Sequence, residues 1–181
     1  MALGAFAVYR VAWMIIAIVS PLWSVGTQDL MEIASASAVA DFLRARTPPE
    51  GTVFLYGHDL NVLLRSERRT AVPYLVNMTL NTEGWYAAHP PEEGHGPNPR
   101  QRKVMLEIQE QIAADTWARL SARAPDAIVV LDESLGQFHH GLAELGALLP
   151  GLPALLRDRF AEVPVPGAAG YHVFLRLPSA S

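Results

Sequence analysis

The chain has 181 residues, of which 50% are apolar and 18% charged, with a net charge of −4 and no cysteine. That length suits one domain plus an appendage. The acidic balance argues against a nucleic-acid partner, which would call for a basic face, and the missing cysteines exclude disulfides, thiolate metal ligands and cysteine nucleophiles.

Part of the charge deficit is local. The first 28 residues carry one charged side chain, Arg10, and Val11 to Gln28 carry none. Eighteen helical residues span about 27 Å, close to the ~30 Å of bilayer hydrocarbon. Residues 1–27 are therefore expected to form a transmembrane helix. Arg10 would snorkel to the headgroups, Pro21 would kink the last turn, and Trp23 would sit at the far interface. Three other readings compete. The segment could be a signal peptide, although the first A-x-A site falls as late as Ala34-Ser35-Ala36. It could be a buried core helix, or the last membrane helix of a longer protein. Arg10 ahead of an acidic body fits an inside N-terminus and an outside body. The expected location is a bacterial cytoplasmic membrane, with residues 28–181 on its extracytoplasmic side.

Residues 29–46 have apolar Ala34, Ala38, Val39, Phe42 and Leu43 at helical spacing, and Thr47-Pro48-Pro49-Glu50-Gly51 ends that helix. Residues 52–56 form a continuous apolar run, as a buried strand does. Residues 59–64 suit one or two helical turns. Residues 70–80, with Pro73 inside, suit an edge strand or irregular chain. Residues 81–100 hold four prolines and three glycines and predict a long loop. Helices are predicted over 101–123, 138–149 and 152–160, with a strand over 126–132. Residues 162–165 and 171–177 suit a hairpin around Pro166-Gly167-Ala168-Ala169-Gly170. This order predicts an α/β fold, a small layered mixed sheet with a parallel centre and an antiparallel edge hairpin.

Candidate chemistry is sparse. Gly57-His58-Asp59 follows the first strand, where ligands of open α/β sheets bind. His58 could titrate near neutral pH, and Asp59 could orient a sugar hydroxyl or a cation, or cap the next helical turn. Arg65, Arg68 and Arg69 could hold a phosphate or an anionic headgroup, with Glu67 among them as in any solvated loop. His89, Glu92, Glu93 and His95 are metal-ligand types, but the surrounding prolines and glycines argue against a preformed site. His139-His140 begins a predicted helix. No nucleotide-binding glycine loop, zinc-protease motif or nucleophile elbow is present. Binding candidates are thus His58, Asp59, Arg65 and Arg69, with no catalytic residue, metal or cofactor expected.

Some of these features together form a familiar order. An apolar segment leads into Val39-Ala40-Asp41-Phe42-Leu43-Arg44-Ala45-Arg46-Thr47-Pro48-Pro49. Next come Val53-Phe54-Leu55-Tyr56-Gly57, then Leu63-Leu64-Arg65-Ser66-Glu67-Arg68-Arg69, then Pro73-Tyr74. Ala124-Pro125-Asp126-Ala127-Ile128-Val129-Val130 follows, with a hairpin near Tyr171. This order, over roughly residues 5–178, resembles the extracytoplasmic C-terminal domain of bacterial polytopic glycosyltransferases of the GT-C class. The resemblance implies contact with a membrane, a polyprenyl-phosphate-linked sugar and a polytopic glycosyltransferase core. The catalytic acids of that family lie in a loop near its first membrane helix, and no residue here matches them. The expected role is therefore a non-catalytic portion that positions donor or acceptor, as a fragment or subunit. The alternative is a membrane-anchored extracytoplasmic binding or interaction domain.

Overall fold

A computed structural model describes residues 28–57, 59–73, 99–135 and 138–178. Helix α1 (Gln28–Arg46) leads to strand β1 (Thr52–Tyr56), helix α2 (Asn61–Ser66) and a short strand β2 (Arg69–Thr70). Helix α3 (Pro99–Ala122) leads to β3 (Ala127–Leu131) and a small hairpin, β4 (Glu133–Leu135) with β5 (Phe138–His140). Helices α4 (Leu142–Leu148) and α5 (Leu152–Arg159) precede the hairpin of β6 (Phe160–Glu162) and β7 (Tyr171–Arg176).

Five strands form one mixed sheet in the order β2-β1-β3-β7-β6. β1 is parallel to β2 and β3, whereas β7 is antiparallel to β3 and β6. The parallel centre and antiparallel edge hairpin are those the sequence predicts. Alternation along the strands sorts the core into two layers. Val53, Leu55, Ala127, Val129 and Val173 pack with Ala36, Val39 and Leu43 of α1 and Val62 and Leu63 of α2. Phe54, Tyr56, Ile128, Val130 and Phe174 pack with Leu120 of α3, Leu145 of α4 and Leu152 and Leu156 of α5. Helices thus cover both faces, which is why β1 and β3 are apolar at successive positions.

The last turns of α1 are tied down by Arg68. Its Nε donates to Thr47 Oγ1 (2.8 Å), its Nη1 to Ser66 O (3.0 Å), and its Nη2 to Arg44 O (2.8 Å) and Thr47 O (3.0 Å). A helix leaves its final carbonyls without internal partners. One guanidinium supplies them at the ends of both α1 and α2.

Helix length against strand length sets the outline. A five-residue strand covers about 17 Å, which a helix crosses in roughly 11 residues. Both α1 and α3 end at the edge where β1 and β3 begin, so their last 11 residues suffice to cover the sheet. Among the described side chains, Ser35 and Ala36 are the first buried in α1, and the partly buried Ile112 and Ala113 are the first apolar residues of α3 packed against the core. The starts of both helices therefore project beyond the carboxyl ends of the parallel strands, α1 by roughly 12 Å and α3 by roughly 20 Å.

Two expectations need correction. The helix predicted over 138–149 begins only at Leu142, because Phe138–His140 pairs antiparallel with Glu133–Leu135. Gly141, in extended conformation, separates the strand from the helix. His139 and His140 thus lie on a strand. Phe160 belongs to β6 and not to the preceding helix. The segment 1–27, residues 74–80 of the expected edge segment and residues 81–98 of the expected loop lie outside the described residues. Among the described residues, no helix is long and apolar enough to cross a membrane.

Candidate functional site

The loop after β1 leads to α2 on one face of the sheet, and the loop after β3 leads to α4 on the other. Neighbouring parallel strands whose connections diverge leave a crevice between their carboxyl ends, the usual ligand position in open α/β sheets. Gly57 follows β1 at that edge. Its φ is +148°, and a Cβ there would stand 2.7 Å from Leu131 Cβ, so only glycine lets β1 and β3 approach.

Two polar clusters flank this crevice. On the α2 side, Asp59 Oδ1 accepts the Asn61 backbone N–H (3.0 Å) and Asp59 Oδ2 accepts the Tyr171 hydroxyl (3.1 Å). Asp59 thereby starts α2 and links it to the first residue of β7. On the α4 side, Asp132 Oδ1 accepts the Leu142 N–H (3.0 Å) at the start of α4. The Asp132 backbone N–H donates to Gly170 O (2.7 Å). A Cβ at residue 141 would lie 2.1 Å from Asp132 Oδ1, so Gly141 is what admits that carboxylate.

His172 sits between two carboxylates. Its Nε2 is 2.9 Å from Asp132 Oδ2 and its Nδ1 is 2.7 Å from Glu162 Oε1. Ionised carboxylates only accept, so both contacts are satisfied together only when the ring carries both protons. The hydrogen bond to Glu162, then Asp132, raises the His172 pKa above its ordinary 6.5 against the opposing effect of burial. The ring also stacks on Phe174. On β1, across β3 from His172, burial and the nearby Glu144 push the Tyr56 phenol well above its usual range, so it stays protonated.

With both nitrogens engaged, His172 is not placed to act as a base. The half-exposed Asp132 and Glu162 carboxylates can accept hydrogen bonds from hydroxyl groups, and the imidazolium offsets one of their two negative charges. Among the described residues, no group of three His, Asp or Glu is arranged to hold a metal ion.

Of the residues proposed from sequence, Asp59 lies in the crevice and His58 lies outside the described residues. Arg69 is at the opposite edge, where it pairs with Glu50 and its strand meets Thr52. Arg65 is exposed on the last turn of α2, and its carbonyl accepts Arg44 Nη2. The structure therefore does not bring the two arginines together with Asp59. Asp132, Glu162, Tyr171 and His172 were missed. Asp132 carried the same signal as Asp59, an acid just past a buried strand. Glu162 and His172 needed the hairpin register to become neighbours.

A cleft of about 260 Å3 lies at the amino edge, lined by Arg46, Pro48, Asp126, Leu175, Arg176 and Leu177 among others. Its Arg176 is held by Asp126 and by Ala124 O (2.9 Å), and the carbonyl end of α1 disfavours an anion there. The carboxyl-edge crevice is the better site. No protein-family model matches the chain, and no curated protein or solved structure matches it.

Proposed function

We propose that this chain is a non-catalytic extracytoplasmic portion of a membrane glycosyltransferase that uses a lipid-linked sugar, holding donor or acceptor hydroxyls at the membrane surface. One observation carries the placement. Gln28, where the uncharged run arrives, starts a helix that projects past the same sheet edge as the Asp59–Tyr171 and Asp132–His172–Glu162 clusters. If residues 11–28 lie in lipid, the crevice faces the bilayer. Carboxylates and a tyrosine at a strand end suit neutral hydroxylated ligands. The enzyme class rests on the motif resemblance described above.

The test is to supply the chain to a polytopic glycosyltransferase core that lacks its C-terminal domain. Transfer from a polyprenyl-phosphate sugar should rise with the chain present, and should fall again with Asp132→Ala. Equal transfer with and without the chain overturns the proposal.

The second reading, an anchored binding domain with no enzyme partner, shares the membrane-facing crevice. It is favoured if the chain retains neutral sugars without any effect on transfer.

A further inference from the structure

We infer that the projecting start of α3 docks on an anionic membrane surface. This rests on the membrane-facing edge proposed above and adds a specific contact to it. Six large apolar side chains are exposed among the described residues: Ile33, Leu64, Val104, Met105, Ile108 and Leu177. Four of the six lie on the two helix starts that overhang the carboxyl edge. Val104 (47% exposed), Met105 (36%) and Ile108 (42%) fall within about 100° of one another around α3, and Ile33 (45%) is on α1. None of the four belongs to either core cluster.

The charges point the same way. α3 begins with Arg100, Arg102 and Lys103 and has no acid in its first turn. Positive charge at a helix N-terminus opposes the macrodipole, so the dipole does not account for these charges, although Lys103 also has an i,i+4 contact with Glu107. A basic patch beside an apolar stripe is the pattern of a helix resting in the headgroup layer of an anionic leaflet. Glu107, 3.9 Å from Lys103, lies within this stretch and offsets one of the three charges, whereas Glu110 lies further along the helix. In sequence, the uncharged run 11–28 ends on Gln28, the first residue of the other overhang, α1. A bilayer reached by that run lies next to Arg100–Ile108.

The chain has no cysteine, so single labels are simple to place. Full-length Val104→Cys and Ile108→Cys, each carrying an environment-sensitive fluorophore, would be reconstituted into phosphatidylcholine vesicles with or without phosphatidylglycerol. Ser121→Cys, exposed at the far end of α3, is the control. Labels at 104 and 108 should shift to the blue and be quenched by lipids spin-labelled near the headgroup. Quenching should be stronger with phosphatidylglycerol and weaker in high salt, and the label at 121 should be unaffected. Adding Arg100→Gln and Lys103→Gln should lower the headgroup occupancy of the label roughly five-fold per charge removed, with the circular dichroism unchanged.

Unquenched labels at 104 and 108, in a chain that resists carbonate extraction from the vesicles, overturn the inference and leave the anchored reading standing. A chain that carbonate releases overturns the anchored reading instead. Vesicles added to that released chain then decide the docking, because quenching by anionic vesicles supports it and none refutes it. A blue shift in lipid-free detergent that grows with protein concentration assigns the stripe to contact between copies, and overturns the lipid surface.

Discussion

Replacing Arg68 with alanine removes four hydrogen bonds at once, to Thr47 Oγ1, Ser66 O, Arg44 O and Thr47 O. Three of the acceptors are carbonyls at the ends of α1 and α2, and Thr47 is buried. At a net ~1 kcal/mol each, the loss is about 3–4 kcal/mol, since the stranded carbonyls lose their partner without gaining full access to water. For a body of this size, 1 kcal/mol shifts Tm by ~2–4 °C, so the midpoint should fall by ~6–15 °C. Thermal unfolding followed by circular dichroism reads this directly. Arg68→Lys should recover only a small part, because an ammonium cannot span four acceptors in one plane. A fall of less than ~2 °C for Arg68→Ala, with Tm of the parent raised by added phosphate, would refute the capping role and restore the anion site suggested by the arginine run.

Other outcomes follow from the same geometry. The raised pKa of His172 means that its contribution to stability is complete below 6.5, its unfolded value, and is lost as pH climbs through the folded value. The stability difference between the parent and His172→Gln should therefore shrink as pH rises above 6.5, and NMR titration should place His172 above a free histidine. Gly57→Ala should cost ~2–4 kcal/mol in urea unfolding, from backbone strain at φ +148° and the contact with Leu131. Tyr171→Phe should cost only ~1 kcal/mol, since it removes one hydrogen bond to Asp59 and leaves the ring in place.

Much of the sheet was legible because β1 and β3 are apolar runs buried on both faces, bounded by Gly51 and Gly57 and by Pro125 and Asp132. The Pro166–Gly170 turn likewise announced a hairpin, and the positive φ of Gly167 and Gly170 shows why glycine is needed there. The β4–β5 hairpin was not legible, because three-residue strands carry too little periodicity to compete with the helical pattern of the Leu142–Leu149 stretch that follows. The site was half visible. Asp59 stands just past a strand, which sequence order reveals. The Asp132–His172–Glu162 contact joins residues up to 40 positions apart and depends on a register that composition does not encode. The arginine run misled because a cluster of guanidinium groups looks the same whether it binds an anion or helix carbonyls. The distinction depends on where α1 ends in space.

The central claim is that the carboxyl edge of the sheet faces a bilayer. The most direct measurement places a spin label at Asn61→Cys on that edge and at Leu177→Cys on the opposite edge, in the full chain reconstituted with nickel-chelating lipids. Relaxation of the label at 61 should be strongly enhanced, with little effect at 177. Enhancement at 177 and none at 61, or none at either position, would contradict it.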